Sequence, residues 1–195
     1  MQESLFDLDT LGFERYRSEA NLGAIATDDL ARVIAEHRTL YTILGEGGER
    51  SATVRGSFHE EETYPKVGDW VRYEPGAKGQ AVIEEILPRV RLLARRDADG
   101  EGVQVMVSNV DLVGIVQGLD NDFNVRRLKR YLLLVQESGA HAVVILTKAD
   151  VAEDPQSMKA EVEKLMPGVP VLITSSKTGE GLKEVAALFT TGSTG

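Results

Sequence analysis

Thr147-Lys148-Ala149-Asp150 follows directly on the apolar run Ala142-Val143-Val144-Ile145-Leu146. A second run, Val169-Pro170-Val171-Leu172-Ile173-Thr174, leads into Ser175-Ser176-Lys177. An ionised Asp150 only accepts hydrogen bonds, and its two oxygens match two neighbouring donors on the edge of a planar base. Guanine offers that pair, a ring N–H and an exocyclic amine; adenine would leave the carboxylate unpaired. Losing a charged hydrogen-bonding partner costs about 1–3 kcal/mol, enough to discriminate between the bases. Lys148 can lay its methylene stem along the base while its ammonium ties neighbouring loops together. A backbone N–H near Ser176 can donate to the guanine carbonyl. Thr147, Lys148, Asp150, Ser175, Ser176 and Lys177 are thus candidate nucleotide contacts. The alternative is an ordinary exposed loop in which Lys148 and Asp150 are simply solvated.

The elements that must position these residues read as a parallel sheet. A short apolar run ending abruptly in polar residues is a buried parallel strand delivering a loop at its carboxyl end, the edge at which open α/β sheets bind ligands. Val105 to Val116 supplies earlier strand material. Asn124 caps a helix that carries Val125, Leu128, Leu132 and Val135 on one stripe and stops at Gly139. Asp154 and Pro155 open another helix, and a last one is expected from about Glu180 to Phe189. Strands alternating with amphipathic helices imply parallel pairing.

Upstream the period changes. Residues 1–29 carry many acids and few anchors beyond Leu5, Phe6, Leu8, Leu11 and Phe13, which predicts an acidic N-terminal arm, partly ordered at best. From Leu30 to about residue 97, short alternating runs are separated by turn signals such as Gly45-Glu46-Gly47-Gly48 and Pro75-Gly76. Ala81 to Ala94 is expected to complete the set, bent or interrupted at Pro88. Five or so short strands without a long helix predict a small Greek-key barrel of the OB-fold type. Arg96 to Gly102 reads as a linker, and 98–195 as the α/β domain. The expected fold class is therefore β plus α/β.

The barrel has a candidate RNA-binding face. If Val71 and Tyr73 point inward, Trp70 and Arg72 point outward together, beside Arg55 and the run Arg89, Arg91 and Arg95. An exposed tryptophan among arginines suits base stacking and phosphate contact. The alternative is that Trp70 caps the barrel core and the arginines form a solvated face.

Composition limits the rest. The 195 residues are 42% apolar and 27% charged, as in globular proteins. With no cysteine, disulfides and thiolate metal sites are excluded; His37, His59 and His141 are scattered without ligand spacing. No apolar run approaches a membrane span and no secretory signal opens the chain, so a cytoplasmic protein without a membrane partner is expected. The net charge of −9 divides into −5 over residues 1–31, 0 over 32–97 and −4 over 98–195. Such a chain is a poor non-specific binder of nucleic acid, so RNA contact requires a local basic patch, for which the neutral middle is the natural place.

One element of nucleotide chemistry is missing. Phosphates are usually cradled by Gly-x-x-x-x-Gly-Lys-Ser/Thr, yet the chain contains no Gly-Lys dipeptide. Asp97-x-x-Gly100 lies in the linker and Asp111-x-x-Gly114 at the start of a strand, where a metal-facing loop should come at the end. Both are read as coincidences, and no catalytic residue is assigned.

A barrel, then guanine loops, with no phosphate cradle ahead of them, is the order of a circularly permuted GTPase. The sequence resembles the RsgA (YjeQ) family, GTPases dependent on the small ribosomal subunit. The matching stretches are Val67-Gly68-Asp69-Trp70-Val71, Ser108-Asn109-Val110-Asp111, the run from Asp122-Phe123-Asn124 to Arg130-Tyr131-Leu132, Thr147-Lys148-Ala149-Asp150, and Ser175-Ser176-Lys177-Thr178-Gly179-Glu180-Gly181-Leu182. The resemblance implies an OB-fold that touches rRNA and a GTPase acting in late maturation of the small subunit, with GTP and GDP as ligands. It also implies that Mg2+ and zinc are held by segments outside this chain, which reads as a fragment unable to turn over GTP by itself. Thr147 stands where many GTPases have Asn, and its hydroxyl can make only part of that amide's tether. The rivals are a non-catalytic rRNA-binding module with a degenerate nucleotide domain, and an unrelated α/β enzyme with a chance motif.

Overall fold

The computed structural model describes residues 7–38, 40–58, 63–96 and 102–195. Leu5, Phe6, His59, Asp97-x-x-Gly100 and most of the expected linker lie outside them. The chain separates into two compact units, Met1–Val110 and Asp111–Ser193.

The first unit contains a closed barrel of β1 (Leu30–Glu36), β2 (Tyr41–Gly45), β3 (Gly48–Val54), β4 (Trp70–Pro75) and β5 (Ala81–Ile86), in the order β1-β2-β3-β5-β4. The β2–β3 hairpin places Gly45 opposite Gly48 and Tyr41 opposite Ala52. Alternation then sends Ala31, Val33, Ile43, Ala52, Val71 and Ile83 inward, each at most 1% exposed.

Trp70 corrects the expected exposed stacking face. It does point out of the barrel, opposite Val71, but it is fully buried beneath the N-terminal segment. A short 3-10 turn (Leu8–Leu11) and α1 (Phe13–Glu19) fold onto this flank, so from Asp7 onward the acidic stretch is not a loose arm. Phe13 meets the Trp70 ring edge-on at 4.9 Å and Tyr16 stacks on it at 5.7 Å, with the Arg32 guanidinium 5.3 Å from its centre. The buried apolar side chains of this segment, Leu8, Phe13 and Tyr16, are spaced too irregularly to leave a clear period in the sequence.

The strand is interrupted at Pro88, one of the two expected outcomes, but the residues beyond it do not complete the set. They leave the barrel. β6 (Leu92–Arg96) pairs antiparallel with β7 (Val103–Ser108) in a separate two-stranded ribbon. Leu87 makes a final barrel bond to the Trp70 carbonyl, and Pro88 has no N–H to continue the ladder. A buried polar network holds the ribbon to the barrel. Asp69, wholly buried, accepts from Arg89 Nε and Nη2 at 2.8 and 2.6 Å, from Ser108 Oγ at 2.5 Å and from the Lys66 N–H at 2.7 Å. Gly68 adopts φ +92°, and a Cβ there would lie 1.9 Å from the Ser108 carbonyl oxygen. Glycine is required at that close approach.

The second unit is a parallel sheet in the order β10-β9-β8, formed by β8 (Leu112–Gly118), β9 (His141–Thr147) and β10 (Val171–Ile173). Central β9 is buried from Val143 to Leu146, which explains its unbroken apolar run. Between the strands run α2 (Val125–Ser138) and α3 (Pro155–Leu165), followed by α4 (Leu182–Ala186). Asn124 caps α2 by accepting the Arg127 N–H at 3.1 Å, Gly139 ends it at φ 77°, and Asp154 caps α3 by accepting from Ser157 N at 2.9 Å. The last helix starts later than predicted because Gly181, at φ 69°, still belongs to the preceding loop, and it ends at Ala186 rather than Phe189.

Candidate functional site

Parallel register brings the carboxyl ends of all three strands together: Gly118 faces Thr147 across β8–β9, and Leu146 faces Ile173 across β9–β10. Beyond these ends the loops are stitched by Leu119 N–H to the Thr147 carbonyl at 2.8 Å and Ala149 N–H to the Thr174 carbonyl at 3.1 Å. The chain turns sharply at Lys148, whose φ of 61° is left-handed, and Ala149–Val151 forms a 3-10 turn. A left-handed non-glycine residue is uncommon and is retained where its surroundings dictate it.

The turn sends its two charged side chains to opposite neighbours. Toward β10, Asp150 Oδ1 accepts from the Ser175 hydroxyl at 2.6 Å, and its Oδ2 lies 3.7 Å from the Lys177 ammonium. The hydrogen bond from Ser175, seconded by the charge of Lys177, holds the Asp150 carboxyl below the usual carboxylate range. Toward β8, the Lys148 ammonium meets Asp120 Oδ2 at 2.5 Å, a pairing that lowers the Asp120 pKa and raises that of Lys148.

The loop after β10 is shaped for this. Ser175 N–H donates to the Glu180 carbonyl at 3.0 Å, and Thr178 N–H donates to Ser175 Oγ at 3.2 Å. The hydroxyl thereby accepts from one side and gives its proton to Asp150. Gly181 permits the return of the chain, since a Cβ there would lie 2.0 Å from the Ile173 carbonyl oxygen.

The six predicted residues all lie on these two adjacent loops, but their surroundings divide them. Ser175 has no exposure, so it orients Asp150 from behind and does not face a base. Ser176 is exposed and makes no hydrogen bond among the described residues, which leaves its N–H open to a ligand acceptor. Thr147 Oγ1 reaches only the Gln117 carbonyl, at 3.4 Å, a weak tether. Sequence reading missed Asp120, the partner of Lys148, and Gln117, whose Nε2 donates to the Asp122 carbonyl at 2.9 Å. Both stand at or just beyond the carboxyl end of β8, but no short-range signature in the sequence ties either of them to the Lys148 turn.

The predicted RNA-binding set is not gathered into one free cationic face. Arg89 is tied to buried Asp69; Arg55 pairs with Glu84, Arg72 with Asp29, and Arg91 with Glu19 at 2.7 Å. Arg95 donates to Gln104. With Trp70 buried, no stacking platform stands among them. For metals, no group of three His, Cys, Asp or Glu able to hold an ion occurs among the described residues. No helix among the described residues is long and apolar enough to cross a membrane.

A five-stranded OB-type barrel, followed in the chain by a parallel sheet that carries Thr-Lys-x-Asp and Ser-Ser-Lys loops at its carboxyl edge, is the architecture of the circularly permuted GTPases. The comparisons agree. The model of the RsgA GTPase family matches residues 86–194, and the chain belongs to that family. It is 40% identical to the small ribosomal subunit biogenesis GTPase RsgA of Syntrophotalea carbinolica, over 93% of this chain and 51% of that protein. It is 41% identical to RsgA 2 of Lactiplantibacillus plantarum, over 85% and 48%. The crystal structure of YjeQ from Thermotoga maritima superposes with a TM-score of 0.65 at 27% identity, over 82% of this chain and 56% of that one. YloQ, described as a circularly permuted GTPase, gives 0.59 at 23% identity, a likeness of fold. The chain spans about half the length of the curated relatives it matches.

Proposed function

We propose that this chain supplies the guanine-reading part of a cytoplasmic GTPase that acts in late maturation of the small ribosomal subunit, with the barrel contributing to rRNA contact. Asp150 reads the ring N–H and amine of guanine, the Ser176 N–H meets the guanine carbonyl, and Lys148 and Lys177 flank the base. Ser175 acts through Asp150. One observation carries this reading: the Asp150 carboxylate is fixed at the top of the central strand by Ser175 at 2.6 Å, with acceptor capacity still open. The names of the relatives supply the ribosomal setting.

Phosphate and metal contacts provide much of nucleotide affinity. The 195-residue chain alone therefore binds GTP weakly and hydrolyses none; tight binding by calorimetry, or turnover by this chain, refutes that. Sequencing the gene beyond Gly195 tests the enzymatic reading, which requires a Gly-x-x-x-x-Gly-Lys-Ser/Thr there. In the full-length protein, Asp150→Asn replaces an acceptor by a donor and should weaken GDP by about ten- to a hundredfold while ADP is little changed. An unaltered preference for GDP over ADP sinks the assignment.

A further inference from the structure

We propose that the outward face of α2 is a second RNA-contact surface, separate from the barrel, which grips phosphates through Arg126, Lys129 and Arg130. Leu128, Leu132 and Val135 bury one side of the helix, and helical spacing turns residues 126, 129, 130 and 133 to the other. Arg126, Lys129, Arg130 and Leu133 are all exposed. None of the three cations makes an ion pair among the described residues, whereas their neighbour Arg127 is held by Asp122 at 2.6 Å. The exposed Tyr131 ring lies 5.5 Å from the Arg130 guanidinium, a pair able to stack a splayed base.

Fold stability does not account for this charge. Residues 98–195 carry thirteen acids and nine bases, yet four of those bases fall within residues 126–130. They crowd the positive end of the helix, where the macrodipole disfavours cations, and the first turn holds no acid. Helix α3 in the same unit follows the ordinary rule, with Asp154 at its start and Lys164 in its last turn. Three cations set against their own helix dipole, without ion pairs among the described residues of an acidic unit, are matched to an anionic partner. The three cations lie within about one helical turn, roughly 6 Å of axis, close to the spacing of neighbouring phosphates, and the adjacent tyrosine favours RNA over an acidic protein surface.

The inference rests on the proposed assembly role for its choice of RNA. The test compares the unaltered chain with a variant carrying Arg126→Gln, Lys129→Gln and Arg130→Gln, which keeps good helix formers and relieves the dipole conflict, so that folding is retained. Both are titrated with deproteinised small-subunit rRNA and with intact small subunits between 50 and 200 mM salt, with circular dichroism as the folding control. The expected result is a fall of about 2 in the slope of log affinity against log salt and a roughly tenfold or greater loss of affinity at low salt. Equal slopes and affinities for the two proteins overturn this inference alone. Loss toward intact subunits but not toward naked rRNA assigns the face to an acidic ribosomal protein and overturns it too. An unaltered chain that binds neither probe overturns the assembly role together with this surface.

Discussion

The Ser175 hydroxyl donates to Asp150 Oδ1 at 2.6 Å from a position with no solvent exposure. Two loops from adjacent strands are thereby locked at the atom proposed to read the base. Ser175→Ala keeps the carboxylate but frees its orientation. In the full-length protein it should weaken GDP about three- to tenfold, less than Asp150→Asn, and narrow the preference over ADP. Calorimetric titration of the two variants side by side checks the ordering; an equal or larger effect of Ser175→Ala contradicts a purely orienting role.

The same bond sets a pH dependence. The Ser175 hydroxyl first, then a backbone N–H and the Lys177 charge, hold Asp150 below its ordinary value of 3.8. Because the folded value is depressed, the carboxylate contributes stability above the unfolded pKa and loses it as pH falls through the folded one. Guanine preference should therefore be flat from neutral pH down through the ordinary aspartate range, and fail only below it. Ser175→Ala should move the Asp150 titration upward, which carbon-detected NMR of the carboxyl group resolves.

Lys148 and Asp120 pin the other side of the turn at 2.5 Å. Asp120 raises the Lys148 pKa, so Asp120→Asn should return the ammonium toward its ordinary value of 10.5. The raised value means that this stabilisation holds below the unfolded pKa and fades as pH rises through the folded one. Nucleotide release should quicken a few-fold, since the left-handed turn at Lys148 then loses one of its two side-chain anchors. Nitrogen-detected NMR of the lysine and stopped-flow GDP release test the two halves separately.

The site was legible where local chemistry and strand position coincide. Strand β9, its Thr-Lys-Ala-Asp turn and the Ser-Ser-Lys loop each carry a short-range signature, and so do the Asn124, Asp154 and Gly139 caps. Long-range partners were not legible. Asp120 lies 28 residues from Lys148, and no spacing rule links them. Period-two alternation told correctly that Trp70 and Val71 point to opposite sides of β4, but it cannot say what covers the outer side. Residues 89–96 alternate as a barrel strand would, and only Pro88 hinted that they leave it.

Trp70 is the single tryptophan and is wrapped by Phe13, Tyr16 and Arg32. Its emission should be that of a buried indole and should shift to longer wavelength on unfolding. Trp70→Ala should cost about 3–5 kcal/mol through the cavity it leaves. Trp70→Phe should cost less and leave rRNA affinity unchanged by titration. A large loss of rRNA affinity in a folded Trp70→Phe variant would restore the stacking role that its burial denies.

Asp69 offers the sharpest test of the first unit. Its carboxylate is fully buried and takes four donors, two of them from Arg89, whose side chain is 19% exposed. Removing the carboxylate strands a guanidinium, a hydroxyl and a backbone N–H in a poorly hydrated pocket, so Asp69→Ala should cost about 3–5 kcal/mol. The pair's net contribution is smaller than that figure, because both charges lose hydration when the fold forms. Asp69→Ala combined with Arg89→Met should therefore be less destabilised than the sum of the two single changes, by roughly 1 kcal/mol or more. Urea titration followed by Trp70 emission reads all four corners of this cycle within one unit. Strict additivity would mean that Asp69 holds the β6–β7 ribbon through Ser108 and Lys66 alone, and that Arg89 is free to serve at the surface.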